Sequence, residues 1–224
     1  MANRICLATG IAVLRTAFGI PGEKTDARHP KHWNLAPGQS VPIIRYDHQR
    51  ERRRIEFMRW GLVSSWLNGT AVVRSHLDIR ARLSAGKADA AGGFRRCLIP
   101  ADVFFERRAS DNQLFAVALA SRQFMTLAGL WSEWVSPSGV TLSCFAILTT
   151  DPNPALAPLC KRMPAILSTE QWEPWLAPKL FSTEQTSRFL KPFAGEPLIA
   201  WPVDRRIRTA KNDDPRLLEV LAKS

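Results

Sequence analysis

The chain has 224 residues, 46% of them hydrophobic, enough to bury a sizeable core in one domain. Lysine and arginine number 31 against 20 acidic residues, a net charge of +11. No apolar run is long enough to span a membrane. The opening MANRICLATGIAVL carries only Arg4 as an early charge, is cut short by Arg15 and has no small-residue cleavage site, so a cytoplasmic protein is expected.

Taken in chain order, Ile11, Leu14, Ala17 and Phe18 share one face, which predicts a helix over 10–19. His29 and His32 in HPKH have no carboxylate or cysteine pattern beside them and read as a loop pair; no metal or cofactor is expected. VPIIRYDHQRERRRIEFMRWGL reads as a hairpin, with strands at 41–46 and 54–60 about a charged turn. RCLIPADVFFERR and NQLFAVALASRQFMTLAGLW read as further strands, and GVTLSCFAILTT (139–150) as a long one. STEQWEPWL (168–176) opens with a capping box and reads as a short helix, STEQTSRFL (182–190) repeats that signature, and LIAWPV (198–203) is a last strand. Strands outnumber helices and their links are short. The expected fold is α+β: a curled, mainly antiparallel sheet or half-barrel core with flanking helices, one domain over 1–224.

Three features bear on chemistry. The cysteines Cys6, Cys97, Cys144 and Cys160 match no zinc or CxxC spacing and are expected to be reduced. Arginines recur along the chain among eight tryptophans, which is either the footprint of a single-strand nucleic-acid binder or a soluble protein's charge. Finally, Glu106 stands behind two phenylalanines and before Arg107 and Arg108. It is either a partly buried acid–base carboxylate or an edge-of-strand residue paired with one of those arginines; apolar surroundings would raise its pKa and the arginines would lower it.

In order and spacing, HWNLAPGQSVPII, FMRWGLVSSW, RRCLIPADVFFE, FAILTTDPN, LCKRMPAIL and the later KNDDPRLLE resemble the SOS response-associated peptidase (SRAP) family over roughly residues 2–220. The resemblance implies binding to abasic sites in single-stranded DNA and a proposed autoproteolytic peptidase activity. In that family an amino-terminal cysteine, freed by methionine removal, forms a Schiff base through its amine and then closes a thiazolidine through its thiol. A glutamate transfers protons, and an asparagine and a histidine support the site. The resemblance places Glu106 as that glutamate. It places Arg4, Pro37, Trp66, Thr149 and Arg162 along the DNA cleft, with Arg162 expected to serve DNA and not the fold.

The chain departs from the family elsewhere. The family's M-C-G-R is Met1-Ala2-Asn3-Arg4 here, so Ala2 replaces the nucleophilic cysteine. The N-A-R-x-E motif falls either on Arg74-Ser75-His76-Leu77-Asp78 or, with a deletion, on Arg80-Ala81-Arg82. Cys160 stands in the place of the histidine. Two functions remain open: a DNA-binding protein associated with the DNA-damage response that has lost thiazolidine crosslinking, or a thiol-dependent hydrolase or peptidase. The second would rebuild the site from Cys160 or Cys6 with Glu106 and His76, the thiol activated by Lys161 and Arg162.

Overall fold

The apolar run that begins at Arg95 is not one strand. In the computed structural model, which describes residues 3–22, 30–61, 78–80 (backbone only), 95–135, 138–177 and 183–221, it divides at Asp102 between two sheets. In chain order the elements are β1 (Ile5–Leu7), α1 (Ile11–Phe18), β2 (His32–Leu35), β3 (Ser40–Asp47), β4 (Arg52–Trp60) and β5 (Asp78–Arg80). There follow β6 (Arg95–Ala101), β7 (Val103–Arg107), β8 (Leu114–Leu119), β9 (Met125–Val135), β10 (Thr141–Thr150) and β11 (Met163–Pro164). Two helices, α2 (Thr169–Leu176) and α3 (Thr183–Phe189), precede β12 (Leu198–Val203) and two 3-10 turns, Arg205–Arg208 and Pro215–Leu218.

One sheet has the order β12-β8-β7-β1-β2 and is antiparallel throughout. In the other, β10, β4, β3, β6 and β9 pair in sequence and β9 returns to β10, so the ring closes. The expected half-barrel is thus a closed barrel beside a five-stranded sheet. The β4–β10 pair is parallel, a departure from the antiparallel majority.

The Asp102 carboxylate accepts hydrogen bonds from the Ala8 and Thr9 amides and the Thr9 hydroxyl, and its own amide donates to the Cys6 carbonyl (2.8 Å). The corner between the sheets therefore also fastens the end of β1. On helix α1, Ile11, Leu14 and Phe18 are buried as expected, whereas Ala17 is exposed. Phe18 packs on Trp172 of α2, ring centroids 4.3 Å apart. Helix α2 starts where its capping box predicts, Gln171 Oε1 accepting from the Ser168 amide. Its last carbonyls are satisfied by Arg96, whose guanidinium donates to Trp175 and Ala177. Among the described residues no helix is long and apolar enough to cross a membrane.

The inner face of the barrel carries Trp60, Trp131 and Phe145, all fully buried, with the Trp60 and Phe145 rings stacked. Gly129 of β9 is packed too tightly for a side chain. A β-carbon there would lie 2.2 Å from Ile99 Cδ1 and 2.9 Å from the Ala146 carbonyl oxygen. The first contact relaxes by rotation of Ile99, but the second is backbone in the adjoining strand. Gly129→Ala is accordingly expected to cost about 1–3 kcal/mol by overpacking, read as a lower denaturation midpoint at unchanged m-value.

Candidate active site

Strand alternation decides which side chains meet. In the β1–β7 pair Ile5 lies opposite Phe104 and Cys6 opposite Val103. Ile5, Leu7 and Phe104 face the main core; Cys6, Val103 and Phe105 face a second cluster with Ile207 and Leu217. Glu106 is two residues beyond Phe104 and so takes the main-core face, opposite Phe115 of β8. It is 1% exposed, a carboxylate set deep in an apolar wall. Neither neighbouring arginine pairs with it. Arg107 donates to Asn112 Oδ1, and Arg108 forks onto Asp111 at 3.0 and 2.6 Å. The reading of Glu106 as an edge residue paired with them is therefore not what forms.

Cys160 lies within electrostatic reach of that carboxylate. The half-buried thiol donates to the Leu156 carbonyl at 3.6 Å. Burial pushes it up to about 11, the Glu106 charge adds to the rise, and the Arg162 amide opposes it. The net direction reverses the expectation that Lys161 and Arg162 activate this thiol. Cys6 is farther from use. It is fully buried on the opposite sheet face, and burial, followed by Asp102, drives its pKa far up.

The residues expected along a DNA cleft are held by the fold. Arg162 Nε donates to Thr149 Oγ1 at 3.0 Å, its Nη2 to the Thr149 carbonyl, and its Nη1 reaches Asp151 at 3.4 Å. Thr149 itself is completely buried. Pro37 is half-buried in a turn in which the Gln39 amide donates to the Ala36 carbonyl and Gly38 takes φ 90°, the type II arrangement that Pro-Gly favours. Arg4 is half-buried, donating to the carbonyls of Ile207 (3.3 Å) and Arg208 (2.8 Å); burial lowers its pKa. The expected site residues Ala2, Trp66, Arg74 and His76 lie outside the described residues, as does Arg82. Arg80 is described by its backbone, which pairs with Thr149.

Sequence reasoning missed three residues here. Asn34, 1% exposed, donates its side-chain amide to the carbonyls of Ile207, Thr209 and Asn212. Asp213 accepts from the Trp33 and Asn34 amides and meets His32 Nδ1 at 2.7 Å. Asn3 adopts φ 49°, in the left-handed region. The first two stand inside motifs already singled out, HWNLAPG and KNDDP. The third replaces a glycine of the family pattern, and that replacement was its only signal.

The Arg162 contacts give it a structural role, against the expectation that it serves DNA alone. Arg162→Ala strips donors from both oxygens of the buried Thr149. It is expected to cost about 1–3 kcal/mol, measured by thermal or chemical denaturation. The raised Cys160 pKa has its own consequence. Thiolate forms only as pH rises, so iodoacetamide should modify Cys160 slowly at pH 7 and about tenfold faster per pH unit up to about pH 11, followed by mass spectrometry.

Comparison with known proteins places this architecture. The family profile described as "SOS response associated peptidase (SRAP)" matches residues 1–210. The abasic site processing protein YoqW of Bacillus subtilis is 30% identical over 98% of this chain and 99% of its own. The abasic site processing protein HMCES of Gallus gallus is 25% identical over 97% of this chain and 77% of its own. A crystal structure of a protein from Bacteroides thetaiotaomicron superposes with a TM-score of 0.83 at 21% identity, covering 98% of this chain and all of that one. With nearly its whole length matched, the chain belongs to the SRAP family.

Proposed function

We propose that this protein is a cytoplasmic DNA-damage-response factor that binds abasic sites in single-stranded DNA in a cleft beside Glu106, and that it has lost thiazolidine crosslinking. The observation that carries this reading is the carboxylate of Glu106, 1% exposed and close enough to Cys160 to raise its thiol pKa. The resemblance puts Cys160 in the position of the family histidine. Relatives named abasic site processing proteins support the choice of substrate.

Once Met1 is removed, the α-amine of Ala2 adds to the C1′ aldehyde of the abasic sugar. The carbinolamine then loses water to give an iminium. Glu106 is the group that carries protons to and from the leaving water. Ring closure needs a thiol on the same residue as the amine, and Ala2 has none, so the imine hydrolyses back to aldehyde and amine. The alternative, a thiol-dependent hydrolase or peptidase, has less behind it: Cys160 is overwhelmingly protonated at neutral pH, and Cys6 is enclosed on the wrong sheet face.

The experiment is incubation with abasic single-stranded DNA followed by a denaturing gel. An adduct is expected when borohydride is present and none when it is omitted. Glu106→Gln should slow trapping by about 10²-fold or more. Ala2→Cys should restore some reductant-independent adduct. A stable adduct formed by the unaltered protein without reductant would overturn the reading and point to a relocated thiol.

A further inference from the structure

Three arginines from distant parts of the chain meet at the end of β7, and no carboxylate neutralises them among the described residues. Arg107 is the last residue of β7, Arg208 closes the first 3-10 turn, and Arg4 immediately precedes β1. Arg107 donates to Asn112 Oδ1, and Arg208 Nη2 donates to the backbone carbonyl of the same residue at 3.2 Å. Arg4 Nη2 in turn donates to the Arg208 carbonyl at 2.8 Å. Asn112 offers both of its oxygens because it sits in the β7–β8 hairpin at φ 59°, a conformation that asparagine tolerates better than most residues.

Every acceptor in this chain of contacts is a neutral amide oxygen, although carboxylates are at hand. Asp111 is held by the Arg108 fork, which keeps it at about 2. Asp204 accepts from the Arg206 amide at 2.7 Å, and Asp214 pairs with the Arg206 guanidinium at 2.9 Å. Asp213 is occupied by His32 and the amides of Trp33 and Asn34. The guanidiniums are thus oriented without losing their charge. Each has five N–H donors and uses one or two, so the rest remain for a ligand. Arg107 and Arg208 are exposed, with Arg4 half-buried behind them.

Like charges gathered this way repel one another, and an anion with several acceptor oxygens relieves that repulsion while accepting the free donors. Planar guanidinium forks match phosphate oxygens well. We infer that Arg107 and Arg208, backed by Arg4, form a phosphodiester-binding site for the DNA strand flanking the lesion. The inference rests on the DNA-binding function proposed above. Its location fits that role: Arg107 is one strand position from Glu106, about 3.3 Å along the chain and on the opposite face of β7. On this inference, DNA whose abasic sugar lies beside Glu106 runs its neighbouring phosphates to the end of β7.

The test uses Arg107→Gln/Arg208→Gln, which removes both charges and keeps a donor toward Asn112. Its affinity for a fluorescent single-stranded 11-mer, intact or carrying a tetrahydrofuran abasic analogue, is measured at four salt concentrations. The plot of log affinity against log salt is expected to be shallower than wild type by about 1.4, or about 0.7 for each single-strand phosphate that is no longer neutralised. Affinity at low salt should fall about tenfold, equally for intact and abasic DNA. Arg107→Lys/Arg208→Lys keeps the charges and should keep the wild-type slope. Should the glutamine pair not fold, Arg208→Gln alone carries the test with half the slope change. An unchanged slope in the glutamine variant, or a weakening confined to abasic DNA, overturns the inference and leaves the proposed function standing. Failure of the wild-type protein to bind any DNA overturns both.

Discussion

The side-chain amide of Asn34 fastens the last segment of the chain to its first sheet, and the candidate site hangs from that fastening. Its NH2 meets three carbonyls of the stretch after β12, while Asp213 returns the contact by accepting from the Trp33 and Asn34 amides. Strand β2 pairs β1, and β1 pairs β7, so the same bonds locate the turn Arg205–Arg208 against the strand that carries Glu106. Buried carbonyls left without donors each cost roughly 1–3 kcal/mol, which makes an asparagine here hard to replace. The asparagine of NLAPG and the second aspartate-bearing motif, KNDDP, are thus two halves of one structural device. Neither is needed to touch a substrate for its residues to matter.

Strand parity then gives β7 two chemistries within adjacent residues. Glu106 turns inward with Phe104 and is almost fully buried, and Arg107 turns outward beside Arg208. A slip of one residue in the β1–β7 register would exchange them, exposing the carboxylate and burying a guanidinium. The corner at Asp102 guards against this. Its carboxylate grips Ala8 and Thr9 beyond the end of β1 and its amide grips Cys6, so the two strands cannot slide independently.

Much of the fold was legible because it depends on local pattern. LIAWPV is β12 residue for residue, the charged hairpin lies within two residues of its expected bounds, and α2 begins at its capping box. What stayed hidden depends on partners remote in sequence. RCLIPADVFFE carries no turn signal strong enough to divide it, since Asp102 makes the corner through bonds to residues more than ninety positions away. The Cys160 thiol shows the same limit for chemistry. Its sequence neighbours Lys161 and Arg162 are cationic, yet Arg162 turns its guanidinium to Thr149 and Asp151, while burial and Glu106 dominate the thiol. Glu106 drew notice in the sequence because a glutamate directly behind two phenylalanines is a local anomaly, and the structure buries it.

The changes at the amino terminus differ in kind, and that difference bears on mechanism. Asn3 stands where the resemblance places a glycine and takes a left-handed backbone, φ 49°, which asparagine adopts at little cost. Ala2 for cysteine removes a reacting group and leaves the backbone chemistry of an amine intact. On the proposed reading the two changes together separate the steps of the family reaction: addition of the amine to an aldehyde needs placement and a proton carrier, whereas sealing the product needs the thiol. A chain that keeps the first set and lacks the second holds its substrate only as long as the imine lasts. Affinity for the surrounding strand then has to come from non-covalent contacts, and a chain with net charge +11 whose arginines are oriented by neutral oxygens is equipped to supply them.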